Sequence, residues 1–88
     1  MLELKIQTQI IKYLKSKGYI AVKNITISIN GWPDVTAIAP NGKHIYIEVK
    51  RPGGRLSEIQ KIRIQQLREH NTDVYVVTSL DQLKGELK

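Results

Sequence analysis

The chain has no cysteine. Disulfides and thiolate metal sites are therefore excluded, which suits a reducing compartment. Phenylalanine is absent and there is a single tryptophan, so an aromatic platform for stacking single-stranded bases is poorly supported. No apolar run approaches the roughly 20 residues that a membrane span needs. The first stretch, MLELKIQTQIIKYLKSKG, is interrupted by charge every few residues and lacks the apolar segment of a signal peptide. These absences lead us to expect a cytoplasmic protein with no membrane attachment. Repeats, low-complexity tracts and linkers are also missing. At 88 residues the chain reads as one domain, 1–88, with a small core. Acidic residues are the scarcer sign: 8 Asp and Glu against 14 Lys and Arg give a net charge of +6. Such an excess attracts phosphate backbones of any sequence, although many small domains are basic merely for solubility.

What is present is a chain 41% hydrophobic, enough for a globular fold. Glu3 to Lys17 reads as a helix, with Ile6, Ile10, Tyr13 and Leu14 at helical spacing and Gly18 as its C-terminal cap. Glu3, Gln7, Ile10 or Ile11, and Leu14 form one row, which puts a carboxylate at the end of an otherwise apolar face. From Tyr19 to Ile29 the period becomes two. Ile25, Ile27 and Ile29 alternate with Thr26 and Ser28, as in a strand with one buried side. After the break at Asn30-Gly31-Trp32-Pro33, Asp34–Ala39 is a second strand and His44–Lys50 a third. Arg51 to Arg55 is a glycine-containing loop. Ser57-Glu58-Ile59-Gln60 reads as a capping box opening a helix to about His70, with Ile59, Ile62, Ile64 and Leu67 mostly inward. Asp73–Thr78 is an apolar run expected to be a buried strand, and Leu80–Leu87 a short helix. The expected fold is α/β, a mixed β-sheet flanked by helices in the order α-β-β-β-α-β-α. Its step from His44 through Thr78 is a parallel crossover of right-handed sense.

The chemistry concentrates on two adjacent strands. Glu48 and Lys50 are two apart and share a face. Whether Asp34 joins them depends on the intervening turn. A two-residue loop, Asn41-Gly42, would set Asp34 against Val49. A three-residue loop, Pro40-Asn41-Gly42, pairs Ala39 with Lys43 and sets Asp34 opposite Glu48. Proline suits the first central position of a type I turn and glycine the following left-handed position, which favours the second arrangement. Two facing carboxylates repel. A hard divalent cation such as Mg²⁺ removes that repulsion and retains water in its shell. The metal can activate that water and stabilise charge on a phosphate, and a nearby lysine can neutralise the transition state. Asp34, Glu48 and Lys50 are the side-chain types that metal-assisted phosphodiester hydrolysis requires. The bland counterpart is a salt bridge on an exposed sheet face.

Pro33-Asp34 followed by Glu48-Val49-Lys50 resembles the PD-(D/E)XK nuclease superfamily, and more closely the VRR-NUC family in its stand-alone bacterial and phage form. The likeness spans nearly the whole chain. It includes Tyr13-Leu14-Lys15-Ser16-Lys17-Gly18, Gly31-Trp32-Pro33-Asp34, Pro40-Asn41-Gly42-Lys43, and Glu48 through Ser57 with Gln60 behind it. Trp32 departs from the pattern, where a smaller apolar residue is common. The resemblance implies a restriction-endonuclease-like core and an endonuclease that uses Mg²⁺ or Mn²⁺. Asp34, Glu48 and the Val49 carbonyl would bind the metal, Lys50 would be the catalytic lysine, and Glu3 and Gln60 would complete the site. It also implies a homodimer acting on branched, Holliday-junction-like DNA in a bacterial or phage-host cytoplasm, without a nucleotide cofactor.

Glu3 also suits the positive end of its helix, and Gln60 the capping box. For Gln60 the two roles read as mutually exclusive, since a side chain folded onto Ser57 should not reach the metal site. Arg51 and Arg55 flank the glycine loop as phosphate contacts or as solvated surface. Lys61, Arg63 and Arg68 read as a solvated helix face, and His44 and His70 as ordinary polar positions. The alternatives to a nuclease are a non-catalytic DNA-binding module on the same fold and an assembly subunit with no nucleic-acid role.

Overall fold

In the computed structural model, which describes residues 2–87, the chain runs α1 (Leu2–Ser16), β1 (Ile20–Lys23), β2 (Val35–Ile38), β3 (His44–Val49), α2 (Glu58–Glu69), β4 (Asp73–Val77) and α3 (Leu80–Glu86). The strands form one mixed sheet in the order β1-β2-β3-β4. The first three pair antiparallel, and β3 pairs parallel with β4 across the α2 crossover. The element order is the one the periodicities predict. No helix among the described residues is long and apolar enough to cross a membrane.

Side chains alternate across the sheet, and the two faces build two cores. Ile45, Ile47 and Val49 of β3 join Ile6, Ile10 and Leu14 of α1 and Leu83 of α3 in the larger cluster. The opposite face carries Tyr46, which joins Ile64 and Leu67 of α2, Val74 and Trp32 in the smaller one. Each fully buried Ile or Leu contributes roughly 1.5–3 kcal/mol, so the larger cluster supplies most of the stability. Gly18 caps α1 at φ +88°, and Tyr19 N–H returns to the Leu14 carbonyl at 3.0 Å.

The turn after β2 decides the register. Gly42 N–H donates to the Ala39 carbonyl and Ala39 N–H to the Lys43 carbonyl, each at 2.8 Å, with Gly42 at φ +88°. This is the three-residue bulged loop, and it pairs Val35 with Ile47 and Thr36 with Tyr46. Continuing the same ladder places Asp34 opposite Glu48.

Three expectations are corrected. The alternation over Ile25, Ile27 and Ile29 is not strand: β1 ends at Lys23, and Ile25 is 85% exposed. Its partner strand begins only at Val35, because Gly31-Trp32-Pro33 turns away to pack under α2. Gly31 sits so close that a Cβ there would lie 2.7 Å from the Ile59 carbonyl oxygen. The segment therefore has nothing to pair with. On α2, Ile59 and Ile62 face outward while Ile64 and Leu67 are buried. The strand β4 is an edge strand, so of its apolar run only Val74 and Val77 are fully buried.

Candidate active site

Pro33 stops the β2–β3 ladder where the site begins. The Ala39–Lys43 bonding fixes the alternation, so Ala37–Ile45 and Val35–Ile47 exchange main-chain bonds and Pro33–Val49 is the next such pair. Proline has no N–H to offer the Val49 carbonyl. The Val49 N–H instead donates to Asp34 Oδ2 at 2.8 Å, and the Pro33 carbonyl accepts from Asn24 Nδ2 at 2.9 Å. The Asp34 carboxylate and a Val49 carbonyl that no group among the described residues claims thus lie at the same strand end. Buried Pro33, with Trp32 packed edge-on against Tyr46 at 5.5 Å, holds the segment in place.

Glu48 is 2% exposed, and its Oε1 is buried without a hydrogen-bond partner. Its Oε2 lies 3.9 Å from Lys50 Nζ and accepts from Gln60 Nε2 at 3.4 Å. Burial, and then the Asp34 carboxylate beside it, pushes the Glu48 carboxyl up to about 8. The Lys50 ammonium at 3.9 Å offsets only part of what burial and the Asp34 charge cost this carboxylate.

The orphaned Glu48 oxygen, its repulsion with Asp34 and the open Val49 carbonyl fit an oxygen-coordinated divalent cation. Among the described residues no three His, Cys, Asp or Glu side chains form a metal-holding group. The candidate protein donors would be the Asp34 and Glu48 carboxylates and the Val49 main-chain oxygen, which would leave positions for water.

Gln60 makes both of the contacts that read as exclusive. Its Oε1 accepts from Ser57 N–H at 2.9 Å in the capping box, while Nε2 turns to Glu48. The two ends of one amide reach in opposite directions, so capping α2 aims the donor at the site. Glu3 lies at the open end of the sheet. Its Oε2 accepts from Arg51 N–H at 3.3 Å, and its charge helps to raise Glu48. Arg51 and Arg55 are exposed; Arg51 opens and Arg55 follows a tight turn closed by Gly54 N–H to the Arg51 carbonyl at 2.8 Å, with Pro52 and Gly53 (φ +81°) at its centre. Among the described residues neither guanidinium has a carboxylate within 4.0 Å.

The family model for the VRR-NUC domain matches residues 2–81. The chain belongs to the VRR-NUC family. A solved structure described as a VRR_NUC domain superposes on it with a TM-score of 0.87. The match covers 97% of this chain and 92% of that one at 23% identity, which establishes a shared fold. No curated protein shows a significant sequence match. Membership identifies a nuclease-type, DNA-acting domain with the α/β core expected from the motifs.

Some parts of this VRR-NUC site were not foreseen. Asn24 ties β1 to the Pro33 carbonyl and to Thr36 Oγ1, both at 2.9 Å, and its own N–H holds the Asp34 carbonyl at 2.8 Å. The available signal was the amide of Asn24, where the apolar phase shifts from Ile20 and Val22 to Ile25 and Ile27. Two residues read as solvated surface are tethers instead: Arg63 donates to the Asn30 carbonyl and Arg68 to that of Val74. Lys61 is exposed and, among the described residues, pairs only with Glu58.

Proposed function

We propose that this VRR-NUC domain is an endonuclease that uses Mg²⁺ or Mn²⁺ to hydrolyse phosphodiester bonds in branched, Holliday-junction-like DNA. The observation that carries the reading is Glu48, a buried carboxylate with an unpartnered oxygen between Asp34 and Lys50. Asp34, Glu48 and the Val49 carbonyl would hold the metal, with Glu3 as a further acidic group at its rim. When bound, the ion supplies an activated water and neutralises charge at the phosphate. Lys50 presents an ammonium beside the carboxylates, where it orients the nucleophile and offsets negative charge developing on the phosphate oxygens. Gln60 holds the Glu48 carboxylate in one orientation. Glu3 holds the turn through the Arg51 N–H, and that turn carries Arg51 and Arg55 towards flanking phosphates.

A small chain cutting a branched substrate acts most simply as a homodimer, whose two-fold axis gives symmetric cuts. The chain works in a bacterial or phage-host cytoplasm and needs no nucleotide cofactor.

A labelled four-way junction and a linear duplex of the same sequence provide the test. We expect cleavage of the junction in Mg²⁺ or Mn²⁺, none in EDTA, and none from Glu48→Ala or Lys50→Ala. Salt-sensitive binding by wild type with no cleavage in either metal would support a non-catalytic DNA-binding module instead. Absence of any salt-sensitive binding would favour an assembly subunit.

A further inference from the structure

The two edges of the sheet are finished differently. On β4 the Val77 carbonyl accepts from Lys50 N–H, so the main-chain groups of Val74 and Val76 point out of the sheet. Both outward carbonyls are covered: Arg68 Nη2 donates to Val74 O at 2.7 Å and Gln82 Nε2 to Val76 O at 3.4 Å. Side chains that occupy an edge in this way prevent another strand from adding to it.

The β1 edge carries no such protection. Asn24 N–H bonds inward to β2, so Ala21 and Lys23 present their N–H and carbonyl groups outward, and among the described residues nothing bonds to them there. Ile20 and Val22 stand 66% and 50% exposed on the same strand, and the exposed Ile25 follows. Proline, a usual guard of an open edge, is missing, and Lys23, on the sheet face of buried Ala21, is the one charge the strand carries.

We infer that β1 is the edge through which two copies of this chain join, antiparallel about a two-fold axis passing at Val22. Ala21 of one copy pairs with Lys23 of the other. Both are outward-facing residues, so one register satisfies every outward group of the pair. Val22 meets Val22 of the second copy, and Ile20 lies opposite Asn24. The self-complementarity of this register selects a second copy as the occupant, and a single lysine per copy is the only charge on the strand. The inference rests on the homodimer reading above and assigns its surface. It also ties assembly to the site, because Asn24 at the end of the joined strand holds both the Pro33 and Asp34 carbonyls.

Sedimentation velocity of the full chain from 1 to 100 µM tests this. Wild type should sediment as a dimer. Lys23→Pro removes only an outward N–H, and Ile20→Glu with Val22→Glu sets like charges across the axis. Each change should raise the dissociation constant by roughly 100-fold or more, whereas Ile62→Glu on α2 should leave it unchanged. In wild type, the Ala21 and Lys23 amides should exchange hydrogen slowly in the dimer and rapidly on dilution. This readout decides the matter if the variants do not fold. A dimer unmoved by both β1 changes, with Ala21 and Lys23 exchanging freely, would overturn the edge assignment and leave the homodimer reading standing. A wild-type monomer at 100 µM would overturn both.

Discussion

Replacing Glu48 with glutamine should flatten the pH dependence of the metal-free protein's stability. Burial, reinforced by Asp34, raises the Glu48 carboxyl from 4.5 to about 8. The folded chain therefore keeps a proton that the unfolded chain has already released. The sign follows: the contribution to stability is whole below about 4.5, declines as pH rises, and is gone above about 8. Within that window the loss is ~1.4 kcal/mol per pH unit, or on the order of 3 kcal/mol between pH 5 and 7. For a domain of this size each kcal/mol moves the melting midpoint by roughly 4–8 °C, so wild type should lose about 10–20 °C over that interval. Glu48→Gln keeps the shape and cannot ionise, so this slope should vanish from it. Saturating Mg²⁺ should stabilise wild type increasingly as pH rises and leave the variant nearly unmoved. Urea unfolding in EDTA at pH 5, 6, 7 and 8, followed by Trp32 fluorescence, measures the difference directly. Parallel pH slopes in the two proteins would refute the reasoning, because they would mean that Glu48 ionises freely in the fold.

The remaining expectations concern its neighbours. Lys50→Ala should reduce the cleavage rate at least about 100-fold while junction affinity changes little, read by single-turnover kinetics beside anisotropy. Gly31→Ala meets both a positive φ of +79° and the Ile59 carbonyl at 2.7 Å; it should destabilise the chain by roughly 2 kcal/mol or more in urea titrations. Gln60→Ala removes the capping box and the donor to Glu48, and should lower stability by about 1 kcal/mol. Gln60→Glu should retain most of that stability yet alter the Mg²⁺ dependence, which a metal titration separates. Asn24→Ala strips two side-chain bonds from the segment before Asp34 and should cost about 1–3 kcal/mol by the same urea assay.

The meeting of Asp34 with Glu48 was legible because turn chemistry leaves few choices. Pro40 and Gly42 select a bulged loop, and a one-residue change of register would have turned Asp34 to the wrong side. The capping box at Ser57 was legible for a similar reason, since its signal is local. Gln60's second contact was not, because it depends on how α2 packs over β3, and spacing along one helix does not report that. The Ile25–Ile29 alternation misled for the converse reason. Period-two apolar residues mark a strand only where a partner exists, and Gly31 draws that partner's approach under α2. The exposure of Ile59 and Ile62 likewise reflects which way α2 rolls on the sheet. The tethers from Arg63 and Arg68 join residues distant in sequence or across a turn, where charge alone reads as surface.

The central claim is that Asp34, Glu48 and Lys50 form a metal-dependent nuclease centre. Its most direct test is single-turnover cleavage of a labelled four-way junction by wild type and by Asp34→Asn, with binding measured by anisotropy on the same samples. The account predicts that both bind the junction alike and that wild type alone cuts it, only with Mg²⁺ or Mn²⁺ present. Equal cutting by the two proteins, or binding without cutting by wild type in either metal, would contradict it.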